Sequence, residues 1–143
     1  MHKQVLLVDD NLNDLELALE ALGEAEAAPC VTVAQGGVQA LAYLHAQRQQ
    51  SAEPLSLVLL DLKMPQMDGL AVLEAIRQDE TLQDIPVVML TTSRDVSDIR
   101  ACYRRGANGY VVKPLDFTSF TETLRDTLAF WLGKNEIPGP RVA

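Results

Sequence analysis

Five short apolar runs punctuate the chain, and each leads into a stretch where apolar residues recur every three or four positions. The runs are QVLLV (Gln4 to Val8), CVTVA (Cys30 to Ala34), LSLVLL (Leu55 to Leu60), PVVML (Pro86 to Leu90) and NGYVV (Asn108 to Val112). Runs this short and this apolar suit strands buried on both faces, and such strands need a parallel sheet covered by helices on both sides. Crossovers between parallel strands are right-handed, so the expected fold is α/β, a doubly wound five-stranded parallel sheet in the order 2-1-3-4-5.

The intervening helices carry their own punctuation. Asn13 with Glu16 offers a capping box for the first, whose apolar stripe is Leu15, Leu19 and Leu22. After Gly36 and Gly37 the second carries Val38, Leu41, Ala42 and Leu44, and the polar segment QRQQSAEP (Gln47 to Pro54) reads as a loop. MPQMDG is a turn in which Asp68 caps the third helix, with Leu70, Leu73 and Ile76 facing inward. The fourth, from Asp95 to Arg105, carries Ile99, Cys102 and Tyr103 and stops at Gly106. Asp116 caps the last, whose stripe is Phe117, Phe120, Leu124, Leu128 and Trp131. That stripe is long enough to outrun the sheet, so Phe130, Trp131 and Leu132 are expected at a dimer or partner surface, with Pro138 and Pro140 ending an extended arm.

In a sheet of this order, ligands sit beyond the carboxyl ends of the first and third strands. Asp9, Asp10 and Asp61 all fall there. Carboxylates crowded in a partly desolvated crevice repel by roughly 4 kcal/mol per close pair at an effective dielectric near 20. Either one of them takes up a proton or a hard divalent cation binds, and Mg²⁺ suits an open site of this kind. The remaining strand ends bring the opposite character: Thr91, Thr92 and Ser93 offer hydroxyls, and Lys113, followed by Pro114, offers an ammonium. Metal, hydroxyl and ammonium can each meet one equatorial oxygen of a phosphoryl group in transfer, which leaves Asp61 as an attacking carboxylate.

Bulk properties narrow the field. A length of 143 residues with 48% hydrophobic residues fits one core, read as a domain over 1–133 with a C-terminal extension over 134–143 and no output domain. The formal charge of −8 disfavours nucleic acid as a partner. No apolar run is long enough for a membrane span, and VLLV at the start runs straight into acid, which argues against a signal peptide and for a cytoplasmic protein. Cys30 and Cys102 share no ligand spacing and read as small buried hydrophobes in a reducing compartment.

Together VLLVDDN, LVLLDLKMPQMDG, VVMLTTS and GYVVKPL resemble the receiver domains of two-component response regulators, the family of the single-domain chemotaxis protein, over about residues 3 to 130. The resemblance implies the flavodoxin-like receiver fold and a phosphoryl group accepted by Asp61 from a histidine kinase. It makes Asp10 and Asp61 ligands of Mg²⁺, with Asp9 helping directly or through water and Lys63 lending its backbone carbonyl. Thr91 would hydrogen-bond the phosphoryl group, Lys113 would pair with it across a cis Lys113–Pro114 bond, and Tyr110 would be the switch aromatic that turns inward as Thr91 moves. Within the family, LTTS, QRQQSAEP and FWLGKNEIP are similar to the small regulators paired with bacterial phytochromes. That likeness implies a bacteriophytochrome as the sensor kinase, and a homodimer through the fourth helix, fifth strand and fifth helix or through the C-terminal extension. Two positions depart from the general pattern: Thr92 is larger than the usual Ala or Ser, and Lys63 places a cation near the phosphoryl site.

Blander readings stand beside these. A lone Asp at a strand end is usually a cap or a solvated turn residue, and Tyr110 is also ordinary strand material. His2 and His45 read as structural or solvated, Met64, Met67 and Met89 as packing, and Arg104-Arg105 as a solvated helix end. Two other functions compete. A Mg²⁺-dependent small-molecule phosphatase normally carries a second Asp two residues beyond its nucleophile, where this chain has Lys63. A receiver-like binding module that works without phosphorylation would have no need of the acid pair, Asp61, Thr91 and Lys113, all of which are present.

Overall fold

The computed structural model describes residues 3–23, 28–49 and 55–138. Strands and helices alternate: β1 (Gln4–Val8), α1 (Leu12–Gly23), β2 (Cys30–Ala34), α2 (Gly37–Gln49), β3 (Leu57–Leu60), α3 (Gly69–Gln78), β4 (Val87–Thr91), α4 (Val96–Arg104), β5 (Gly109–Val112) and α5 (Phe117–Gly133). The five strands form one parallel sheet in the order β2-β1-β3-β4-β5, as the apolar runs require.

Alternation of side chains along each strand divides the core in two. Leu6, Val8, Val58, Leu60, Val87 and Met89 face α2, α3 and α4, where Ala40, Leu44, Val72, Leu73, Ile76 and Cys102 meet them. Val5, Leu7, Leu57, Leu59, Val88 and Leu90 face α1 and α5, against Leu15, Ala18, Leu22, Phe120, Leu124 and Leu128. Each central strand is therefore apolar but for Gln4 at the start of β1 and Thr91 at the end of β4, because both of its faces are covered.

Helix facings depart from the simple stripes in places. Asn11, not Asn13, caps α1, its side-chain oxygen accepting from the Asp14 N–H at 3.1 Å. Leu19 is 41% exposed, and Ala18 and Ala21 take the inward positions of that helix. In α2 Gly37, Ala40 and Leu44 are buried, while Val38 and Ala42 face out. Of the polar segment QRQQSAEP, the first part extends α2 to Gln49 and residues 50–54 lie outside the described residues. Tyr103 is exposed and Cys102 buried in α4, and Gly106 ends that turn at φ +102°, a conformation glycine adopts without a steric penalty. Asp68 and Asp116 cap α3 and α5 as read from the sequence.

Some finer expectations fail. Cys30 is exposed at the start of an edge strand, and only Cys102 is the small buried hydrophobe. Trp131 and Leu132 pack partly into the layer of α1 and α5, and the Trp131 ring lies so close to Gly109 that an added Cβ there would sit 3.4 Å from it. Phe130, edge-on to Trp131, is the residue of that group left in solvent, and Phe117 is exposed as well. The described chain holds no cis peptide bond, so Lys113–Pro114 is trans. Trans is the conformer an X-Pro bond ordinarily prefers, and the Lys113 ammonium reaches its partners from it. His45 is exposed, whereas His2 and Pro140 lie outside the described residues.

Candidate phosphoryl-acceptor site

Register places the acids. Val8 lies opposite Leu60, so the residues that follow, Asp9 and Asp61, emerge side by side at the carboxyl end of the sheet. Backbone bonds hold both: the Asp61 N–H donates to the Val8 carbonyl at 2.9 Å and the Asp9 N–H to the Ala34 carbonyl at 3.2 Å. Asp9, Asp10 and Asp61 each present a carboxylate oxygen to a common point, the three atoms lying within 4.8 Å of one another. Asp9 and Asp61 are buried and Asp10 is exposed, so the group opens outward through Asp10. These are hard oxygen donors with no sulfur or imidazole among them, the set that a divalent cation such as Mg²⁺ or Mn²⁺ takes.

Above them lies an open cleft of about 700 Å³, lined by Asp10, Asn11, Leu12, Asn13, Asp14, Asp61, Lys63, Thr92 and Lys113. The loop from β3 to α3 frames one side. Gly69 is obligatory in it, because a Cβ at that position would stand 2.3 Å from the Asp61 carbonyl oxygen, and its N–H donates to the Leu62 carbonyl at 2.8 Å. Gln66, at φ +67°, completes the turn.

Burial dominates the electrostatics of Asp61 and raises its pKa to about 7; Lys113 opposes this, while the Asp9 charge and a hydrogen bond with Asp9 add to it. One N–H, that of Leu62, donates to its Oδ1 at 2.9 Å. Lys113 is itself buried, which works against its charge, yet its bonds to Asp9 and Asp14 and the nearness of Asp61 hold its pKa above the ordinary value. Its ammonium lies 2.5 Å from Asp9 Oδ2 and 2.9 Å from Asp14 Oδ2. Lys113 is thus tied to the acid pair and first turn of α1, and faces Asp61 only through space.

Thr91 is 1% exposed at the end of β4, where its hydroxyl accepts the Ser93 N–H at 3.4 Å; Thr92 is the hydroxyl residue on the cleft wall. Tyr110 is half-buried and its phenol donates to the Ser93 carbonyl at 3.0 Å, with burial raising its pKa. Lys63 is exposed and its ammonium sits 3.4 Å from Asp98. Asp14 and Asp98 were not singled out from the sequence: an acid in the first turn of a helix is explained by the helix dipole alone, which hides a second role.

A sequence model for the response regulator receiver domain matches residues 5–125. Response regulator Rcp1 of Synechocystis sp. is 34% identical over 95% of this chain and 93% of its own length. Its Mn²⁺-bound structure superimposes with a TM-score of 0.85 at 33% identity, over 95% of this chain and 99% of that one. The phosphorylated cyanobacterial phytochrome response regulator RcpA gives a TM-score of 0.89 at 35% identity, covering 96% and 99% of the two chains. The bacteriophytochrome response regulator AtBRR is 42% identical, with a TM-score of 0.72 and coverage of 95% and 99%. Matched over nearly all of its length and carrying the acid cluster where the sheet reverses its order of build, this chain belongs to the response regulator receiver family and closely resembles its phytochrome-associated members.

Proposed function

We propose that the chain is a phosphoacceptor switch that takes a phosphoryl group onto Asp61 from a sensor histidine kinase of the bacteriophytochrome type. The observation that carries this reading is the convergence of the Asp9, Asp10 and Asp61 oxygens within 4.8 Å beneath an open cleft that Lys113 also lines. An Asp61 oxygen forms the new O–P bond as the P–N bond to the donor histidine breaks, and the electron pair returns to the ring nitrogen, which takes up a proton. Asp9, Asp10, Asp61 and the Lys63 carbonyl would hold Mg²⁺, which supplies positive charge to the phosphoryl oxygens when bound. Lys113 stands ready to leave its bonds with Asp9 and Asp14 for the phosphoryl group, and the Thr91 hydroxyl to turn toward it.

Charge added at Asp61 biases a two-state element, with Thr91 and Tyr110 carrying the change to the face of α4, β5 and α5. Val96 at 65% and Tyr103 at 51% exposure leave that face apolar enough for a homodimer, with Phe130 beyond it on α5. We assign residues 1–133 to the receiver unit and 134–143 to an extension, and place the protein in the cytoplasm; no helix among the described residues is long and apolar enough to cross a membrane. The small-molecule phosphatase reading is weakened by Lys63, which occupies the general-acid position and is engaged by Asp98.

Incubation with a bacteriophytochrome kinase, ATP and Mg²⁺ tests the assignment. Label should appear on the intact chain and vanish in Asp61→Asn. Label retained by Asp61→Asn would place the acceptor elsewhere.

A further inference from the structure

Two lysines line the cleft, and they are held by different means. Lys113 is buried between two carboxylates, whereas the Lys63 side chain is 68% exposed and, among the described residues, paired with Asp98 in the first turn of α4. The other oxygen of Asp98 accepts the Ser93 hydroxyl at 2.6 Å, and this bond is the main reason its carboxyl lies below the usual range. Ser93 in turn accepts the Tyr110 phenol on its carbonyl, presents its N–H to Thr91 and receives the Asp95 N–H on its hydroxyl at 3.3 Å. One carboxylate therefore ties the acceptor loop to α4 and, through Ser93, to both Thr91 and Tyr110.

We propose that Asp98 is a positioning residue that holds the Lys63 ammonium away from Asp61 in the unmodified chain and surrenders it to the phosphoryl group, loosening the Ser93 contacts with Thr91 and Tyr110 as it does so. This rests on Asp61 being the acceptor. The physics is a competition for one cation. A lysine is a point charge on a flexible stem, so it changes partners without a geometric barrier. Its exposed pair with Asp98 is of the weakest class of ion pair. A phosphoryl group on buried Asp61 offers nearly twice the charge in a less screened place, on the wall the lysine already lines. Asp98 then loses its partner on the acceptor loop.

Acetyl phosphate with Mg²⁺ gives a kinase-free assay, in which an Asp61 oxygen bonds to phosphorus while the P–O bond to the acetyl group breaks and acetate departs with the electron pair. The rate is compared in the native chain, Asp98→Asn, Lys63→Gln and the double variant. Freeing Lys63 by Asp98→Asn should raise the rate about two- to fivefold, the range a weak exposed pair controls. The same substitution should change nothing when Lys63 is already Gln. Tyr110, followed by fluorotyrosine NMR, should sample its second position more in Asp98→Asn, with Asp98→Glu returning both readouts toward native. An unchanged rate in Asp98→Asn overturns the proposal, as does an equal acceleration in the Lys63→Gln background, which would make the effect one of general charge. Labelling that survives Asp61→Asn would strike the acceptor assignment instead, and so separates the two failures.

Discussion

The two ends of the sheet bury charge in opposite ways. At the amino end, Arg77 at the end of α3 spends its guanidinium on neutral acceptors: Nε on the Gly106 carbonyl at 2.9 Å, Nη1 on the carbonyls of Gln83 and Ile85 at 3.0 and 2.8 Å, and Nη2 on the Asn108 side chain at 2.7 Å. The same Asn108 oxygen accepts the Val87 N–H, which starts β4. At the carboxyl end, three carboxylates converge, a buried lysine sits between one of them, Asp9, and the neighbouring Asp14, and Asp61 is left with a pKa of about 7. A charge bonded at each of its three nitrogens fastens loops and has little left to offer a ligand. Like charges left crowded are a standing demand for a cation, and a site with such a demand responds when ligands arrive.

The largest effect expected at the fastened end comes from Arg77→Ala. It strips donors from three carbonyls and from Asn108, each of which then needs water, and the change should lower stability by about 3 kcal/mol. Urea unfolding measures this, and phosphorylation of the folded fraction by acetyl phosphate should proceed at the native rate. A stable variant that cannot be phosphorylated would erase the contrast between the two ends.

Next in size is the response of the acceptor end to pH without metal. Asp61 passes from an ordinary carboxyl value of 3.8 in the unfolded chain to about 7 in the folded one, so between those values the folded chain keeps a proton the unfolded chain has lost. Its contribution to stability is whole below the lower value and is lost as pH rises through the upper one. Lys113, raised above its ordinary value of 10.5, titrates far above this window, so its own contribution is constant here. Hence the urea midpoint in chelator should fall between about pH 4 and about pH 7 relative to Asp61→Asn, and the variant should be the more stable by roughly 1–2 kcal/mol near pH 8. Adding Mg²⁺ should cancel the difference, since the cation takes the place of the proton. Parallel pH profiles for the two chains would mean that Asp61 is not the strained member of the cluster.

How far these ends were legible in the sequence follows from the same contrast. The strands and their order were readable because burial on both faces removes every polar alternative from a run such as LVLL, and the acids stood out against it. The acceptor cluster was therefore visible residue by residue. Its supports were not: Asp14 and Asp98 sit in first turns of helices, where an acid is expected anyway, and the helix dipole alone explains a basic residue such as Arg77 in a last turn. Helix facings failed at Leu19 and Val38 because alanines nearby, Ala18 and Ala40, fit the close approach of helix to sheet better than a larger side chain. The cap on α1 falls to Asn11 since the helix begins at Leu12, two residues earlier than the Asn13–Glu16 pattern suggests.

The smallest effect concerns α5, where the sequence stripe promised more exposed surface than exists. Trp131 covers Gly109 and belongs to the core layer, so a truncation that removes it would test folding more than association. Phe130, 52% exposed and stacked edge-on against Trp131, is the cleaner probe. Phe130→Ser removes apolar surface without opening a cavity, so the monomer should keep its stability within about 0.5 kcal/mol. If α5 contributes to a homodimer, sedimentation should show dissociation strengthened several-fold in Phe130→Ser, and Tyr103→Ser on α4 should do the same when the dimer uses the α4, β5 and α5 face. A dimer that tolerates both changes, at native affinity, uses neither surface, and the exposed rings must then face solvent for another reason.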